Sequence, residues 1–184
     1  MKPALAALVA VVLGTLLLSA CANLATDKAS NLRLPSTIGP YSHITARVLV
    51  MEPKHVWQAI LDWQSKQPDE GKIRIVHAVS GRIVELLWKH DEMWLRDNQT
   101  QSLKWHPVNK DELATNGIVI SPQELSKFLG GDIPSGFQSK GSNKWIIHRN
   151  NNHVRVEWNA QKKRLIFSDI KHGRKTTLII LKSA

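Results

Sequence analysis

Lys72-Ile73-Arg74-Ile75-Val76-His77-Ala78-Val79-Ser80-Gly81-Arg82-Ile83-Val84-Glu85-Leu86-Leu87-Trp88-Lys89 is the stretch that decides the architecture. Aliphatic and β-branched residues dominate Ile73–Val79, and Ser80-Gly81 can turn the chain. In Ile83–Lys89, Val84, Leu86 and Trp88 share a face opposite Glu85 and Lys89. An apolar residue at every second position marks a strand with one buried face, so two such runs across a Ser-Gly turn predict an antiparallel hairpin. The period continues on both sides. Upstream, Ile44, Ala46, Val48 and Val50 alternate with Thr45, Arg47 and Leu49, and Trp57, Ala59, Leu61 and Trp63 oppose Gln58, Asp62 and Gln64. A Pro68–Gly71 turn leads into the hairpin. Downstream, Asp91 breaks the run, and Met93–Arg96 forms another short strand ending at Asp97-Asn98.

Beyond Pro134 the strands resume as Lys144–His148, Val154–Trp158, Leu165–Asp169 and Thr176–Leu181. Turn signals separate them at Asn150-Asn151-Asn152, Gln161–Arg164 and His172-Gly173. Strands joined by short turns, with no helix alternating between them, predict an antiparallel meander. One helix interrupts it. Ser121-Pro122-Gln123-Glu124 supplies an N-cap, a proline at the first helical position and the acid of a capping box. Ile120 and Leu125 are spaced as a hydrophobic staple, and Gly130-Gly131 can stop the helix. Leu125, Phe128 and Leu129 share its apolar face, and a helix this short must lie on the sheet to persist.

The N-terminus carries an address. Lys2 precedes 15 uncharged residues, Ala4–Leu18, and Leu18-Ser19-Ala20-Cys21 gives the small-residue approach to a lipid-modified cysteine. A spanning helix needs roughly 20 apolar residues, so this segment reads as a cleaved signal peptide. Residues 1–20 are then the leader and residues 21–42, with Pro35 and Pro40, a lipidated, palmitate-bearing N-terminus and tether. Residues 43–184 make a single domain. Ala22 lacks the aspartate that retains lipoproteins at the inner membrane, which favours an outer-membrane anchor facing the periplasm. Cys21 is the one cysteine, and lipid attachment leaves none for a disulfide or a cysteine metal site. Without Lys2 the chain carries 24 basic against 15 acidic side chains. Such an excess favours anionic partners such as phospholipid head groups, and export makes nucleic acid an unsuitable one.

The order of these parts resembles the outer-membrane lipoprotein receptors typified by LolB, over roughly residues 43–181. The likeness rests on strands, then a helix opening Ile120-Ser121-Pro122 and closing Gly130-Gly131-Asp132-Ile133-Pro134, then strands again. Lys72–Val76 turning through Ser80-Gly81 into Ile83–Leu87 is similar to the family's paired strands. Leu165–Asp169 followed by Thr176–Leu181 is similar to its closing hairpin. The resemblance implies a mainly β fold with a few helices: an incomplete, strongly curved antiparallel β-barrel enclosing a hydrophobic cavity capped by short helices. It implies a monomeric chaperone of protein transport, without cofactor, that accepts acylated lipoproteins from a periplasmic carrier and inserts them into outer-membrane phospholipid. Trp57, Val84, Leu86, Trp88, Leu125, Leu129, Val156 and Trp158 are then the expected cavity residues. Val79 and Ser80 form the expected membrane-insertion turn, with Ser80 standing where the family places an exposed leucine. Pro35 and Pro40 also interrupt the N-terminal stretch that is helical in the family.

Catalytic signatures do not accompany this pattern. HExxH and G-x-S-x-G are missing, Cys21 is used for lipid, and Ser121 caps a helix, so the chain is not expected to be an enzyme. His148 and His153 straddle an Asn-rich turn without a third ligand in sequence, and no metal site is expected. Lys162, Lys163 and Arg164, with Arg174 and Lys175 on the facing turn, form either a solubilising hairpin tip or a basic docking patch. The latter supports the alternative function, an envelope assembly lipoprotein that binds an anionic partner.

Overall fold

The computed structural model describes residues 38–99, 104–115, 118, 120–149 and 152–184. The expected leader, Cys21, the tether up to residue 37, and Asn150-Asn151 of one expected turn lie outside the described residues. The alternating pattern becomes one antiparallel sheet of eleven strands. In chain order these are β1 (His43–Met51), β2 (Val56–Gln67), β3 (Glu70–His77), β4 (Ile83–Lys89), β5 (Glu92–Asp97) and β6 (His106–Val108). Then come helices α1 (Lys110–Thr115) and α2 (Pro122–Leu129), followed by β7 (Gln138–Ser139), β8 (Lys144–Arg149), β9 (Asn152–Asn159), β10 (Arg164–Asp169) and β11 (Arg174–Ser183).

Each strand pairs with its sequence neighbour except β6 and β7, and β1 pairs with β11, so the strand order is β6-β5-β4-β3-β2-β1-β11-β10-β9-β8-β7. The first and last strands therefore sit in the middle, and mid-chain supplies both edges. Those edges do not pair with each other. The result is an incomplete, curved barrel whose gap falls where both helices are inserted in sequence. Both edge strands are short, and Pro107 removes a donor from β6, features that discourage edge-to-edge association. Irregular register at Thr45/Ala46 and between Ser65 and Gln67 falls in β1 and β2, and bulges of this kind bend a strand and increase its twist.

The concave face carries the core. Ile44 faces Trp63 across the β1–β2 pair, Ala46 faces Leu61, and Val48 faces Ala59. All six are buried. Ile38 is only 1% exposed and joins this core, so the folded part begins before His43, within the stretch expected to be tether. Gly39 makes that possible. Its φ is +96°, and a Cβ there would overlap the Leu129 carbonyl, so the chain passes close against the end of α2. The Tyr41 N–H donates to that same carbonyl at 2.8 Å.

On the convex face, an alternating row of charge crosses four strands. Asp62 is opposite Arg74, Arg74 opposite Glu85, and Glu85 opposite Arg96. Glu85, although on the outer face, is 7% exposed. Burial pushes its carboxyl up, but hydrogen bonds from Arg96 and Lys72 outweigh that and hold it below its ordinary value. The Arg96 guanidinium also lies over the Trp105 ring, 4.8 Å from its centroid. Opposite charges at directly paired positions favour this register over one slipped by a residue.

At the other end of the barrel from the β3–β4 turn, the fully buried Trp88 packs beneath Gly71, and its indole N–H donates to the Pro68 carbonyl at 3.1 Å. A Cβ on Gly71 would overlap both the indole ring and the Gln64 carbonyl. Gly71→Ala should therefore cost about 1–3 kcal/mol as an overpacking substitution, read from the urea midpoint. A loss below about 0.5 kcal/mol, the level of an ordinary surface change, would mean that the indole is not held there.

Candidate functional site

α2 is built as its sequence predicts. The Glu124 N–H donates to Ser121 Oγ at 3.2 Å, and the Ser121 N–H donates to Glu124 Oε2 at 3.0 Å, closing the capping box. At the other end the Gly131 N–H donates to Phe128 and the Asp132 N–H to Lys127, with Gly131 at φ +97°; this left-handed residue ends the helix. The helix lies on the concave face. Phe128 packs edge-on against Phe137 and tilted against Trp145 of β8. Three polar ties fix it from different directions. The Trp63 indole N–H donates to Ser126 Oγ at 3.3 Å, Gln123 Nε2 donates to the His90 carbonyl at 3.0 Å, and Arg149 grips Glu124 through two guanidinium nitrogens.

One side of α2 is packed tightly and the other is not. Between Pro122 and Leu125 of the helix and the inner faces of β1–β4, β10 and β11 lies an apolar cavity of about 190 Å³. Trp57, Val84, Leu86 and Leu125, four of the residues expected from sequence, line it. Val48, Leu61, Ile75, Phe167 and Leu178, not singled out from sequence, line it too. Their signal was present as inward positions of the same period-two alternation. Trp88, Leu129, Val156 and Trp158 are buried elsewhere in the core and lie off the cavity wall. Trp88 is enclosed beneath Gly71 instead. At the mouth, Glu52 and Arg174 face each other at 3.7 Å, both half-buried.

The mouth shares its end of the barrel with the β3–β4 turn, because the register places Met51 beside Val56 and Lys175, and Ala59 beside His77. Val79 at the turn tip is 91% exposed. Ser80 is tied inward: its Oγ lies 2.9 Å from His77 Nδ1, and its N–H donates to the same nitrogen at 3.1 Å. Arg82 anchors the turn to Asp97 of β5 through a charge-paired contact, Nε to Oδ2 at 2.9 Å. Met51, Val56 and Ile170 are exposed at this same end, as is Ile118 at the cavity edge. An apolar rim of this kind is not visible in sequence, since each of these residues lies in a different turn or strand end.

The expected basic patch separates into two. Lys162 and Lys163 occupy the β9–β10 turn with Arg164 opening β10, whereas Arg174 and Lys175 open β11 at the opposite end. The six residues of β10 intervene, which at about 3.3 Å each leaves the groups about 17 Å apart. Consecutive antiparallel strands put their starts at opposite ends, so the two clusters do not form one surface. His148 and His153 stand opposite each other across β8 and β9 with ring centroids 4.2 Å apart. Among the described residues no third His, Asp or Glu joins them. α1 escaped sequence reading. Its signal is Asn109, whose Oδ1 accepts from the Glu112 N–H at 2.8 Å, and its one buried anchor in the described side chains is Leu113.

No protein-family model and no curated protein matches the chain. Among solved structures the chain is similar to a LolA-superfamily protein from Nitrosomonas europaea, with a TM-score of 0.46 and 13% identity over 81% of this chain and 88% of that one. A DUF1329-family protein from Desulfovibrio piger is similar at a TM-score of 0.37 and 9% identity, over 77% and 83% of the two chains.

The grip of Arg149 on Glu124 sets a pH dependence. Burial pushes the Glu124 carboxyl up, but hydrogen bonds from Arg149 and the Ser121 N–H outweigh it and leave the group below its ordinary 4.5. A carboxylate lowered in the folded state contributes stability in full above that ordinary value and loses it as pH falls through the folded value. Glu124→Gln should therefore cost about 1–2 kcal/mol at pH 7 and flatten the loss of stability on acidification below about pH 4.5. Denaturant titrations of both proteins at pH 7 and pH 3.5 check this. An equal loss on acidification in both would place the acid sensitivity elsewhere.

Proposed function

We propose that this chain is a lipid-anchored outer-membrane protein that accepts the acyl chains of lipoproteins from a periplasmic carrier and releases them into the membrane. The observation carrying this reading is the apolar cavity between α2 and the sheet, whose lining reaches Glu52 and Arg174 at the end that exposes Val79. Moving an acyl chain through water exposes methylenes at about 0.8 kcal/mol each. A dry concave wall offsets that cost without any bond being made or broken. The cavity as it stands holds about six waters' worth of volume, at ~30 Å³ each, and a methylene is of similar size. A full chain enters only when α2 lifts. Polar contacts to Trp63, His90 and Arg149 and the packing of Phe128 and Leu129 hold α2, and its cavity side, at Pro122 and Leu125, is the one not tightly packed.

The lipid expected on Cys21 would keep the cavity near its target membrane, and Val79 gives the β3–β4 turn one apolar contact with it. The alternative, an assembly protein with a docking patch, has less support because its basic residues lie at opposite ends of β10.

Val84→Phe, which adds bulk to the cavity wall, should weaken a fluorescent fatty-acyl probe by about tenfold, or ~1.4 kcal/mol. A probe that does not bind the unmodified protein at all would sink the cavity reading. Ser80→Leu should raise lipoprotein transfer from carrier to liposomes, since it adds an apolar side chain beside Val79 at a membrane-facing tip. Unchanged transfer would show that the turn has no part in insertion.

A further inference from the structure

A second opening on the concave side takes no part in acyl binding as described above. It is a polar cleft of about 640 Å³, with Glu124 and Lys127 of α2 on one wall and Arg149, Asp169 and Lys171 on the others. Cavity and cleft meet at Ile118, which lines both, and the inward residues of β10 divide between them, Phe167 to the cavity and Asp169 to the cleft. Two residues of strand span about 6.6 Å, so one amphiphilic molecule can occupy both compartments.

The charges of the cleft are unevenly committed. Glu124 is bridged to Arg149. Asp169, 1% exposed, accepts from Asn152 Nδ2 at 2.8 Å and lies 2.8 Å from His172 Nδ1. Asp111, on the α1 side, is engaged as well. Lys110 reaches Asp91 at 3.9 Å, outside the cleft lining. Among the described residues Lys127 and Lys171 have no ion-pair partner, although both line the cleft. Every carboxylate of the wall is occupied and two ammonium groups are not. An ammonium offers donors only, so the unmet demand in the cleft is for an anion.

We propose that the cleft is a headgroup site. The phosphate of an acylated anionic lipid sits between Lys127 and Lys171, and its first methylenes pass Ile118 into the cavity. The proposal rests on the acyl-binding reading of the cavity and extends its ligands from acylated proteins to anionic lipid itself.

The mature chain, residues 21–184 carrying Cys21→Ser to prevent acylation, is titrated with decyl phosphate, decyl glycerol ether and inorganic phosphate, with binding followed by calorimetry. Decyl phosphate should bind at least about tenfold tighter than the uncharged ether, and K127Q/K171Q should bring that ratio toward one. Equal affinity of the two amphiphiles for the unsubstituted protein, or a ratio that the double substitution leaves intact, overturns the headgroup site while acyl binding stands. Inorganic phosphate binding as tightly as decyl phosphate overturns it in favour of a free-anion site. If neither amphiphile binds, the headgroup site and the acyl-binding reading fall together.

Discussion

The structure depends on how a sheet with two unpaired edges covers its concave face. Pairing β1 with β11 places the first and last strands in the centre of the sheet, so mid-chain must span the gap between β6 and β7. An apolar concavity left open to water would forfeit about 25 cal/mol for each Å² it exposes. α2 covers it. Eight residues are too few for a helix to persist alone, so the dependence is mutual: the sheet provides the surface that keeps α2 folded, and α2 shields the sheet. Gly39 belongs to the same arrangement, because its missing side chain lets the N-terminal segment lie against the Leu129 carbonyl.

That arrangement explains why polar contacts gather around α2 while the sheet relies on register. Most of the sheet's specificity comes from directly opposed pairs, apolar inside and charged outside. The convex row from Asp62 to Arg96 discourages slippage of strands whose inner faces are largely apolar. α2 has no such row. It is located by Ser126, Gln123 and Glu124, each bonded to a different part of the sheet. A partly satisfied polar contact inside a protein is costly, whereas a satisfied one fixes position. α2 is therefore well placed without being tightly packed on its cavity side.

Period-two alternation made the strands and their antiparallel order legible, because the inner faces are largely apolar and most turns carry Gly, Asn or Pro. The capping box made α2 legible for the same local reason. What pattern could not supply was which inward residues end up near a void. Trp88 and Val84 alternate identically in β4, yet Trp88 is sealed beneath Gly71 and Val84 borders the cavity. The difference lies in their neighbours: Gly71 and the Pro68 carbonyl enclose Trp88, whereas Pro122 and Leu125 leave space beside Val84. Likewise Arg164 and Arg174 are close in sequence but separated by the length of a strand, a fact of topology and not of composition. α1 was invisible because six residues with one described buried anchor, Leu113, produce no periodicity to detect.

The cavity also has an energetic meaning. Void in an apolar core lowers stability by about 24 cal/mol per Å³, so some 190 Å³ corresponds to about 5 kcal/mol at most, less whatever water entering the cavity recovers. Small changes would fill it; a larger aliphatic residue at Val48 or Val84 alone would occupy part of the space. A chain that keeps Trp63, Trp88 and Phe128 fully buried shows that this fold accommodates bulk where bulk is wanted. The unfilled volume sits instead beside α2, on the side where that helix is loosely packed, and it meets at Ile118 a cleft in which, among the described residues, Lys127 and Lys171 have no ion-pair partner. An apolar guest entering there recovers the contacts that the empty wall lacks, and an anionic head recovers those that the cleft lacks. The two deficits lie on either side of Ile118, so a single amphiphile satisfies both, and neither an aliphatic chain nor a free anion alone does so.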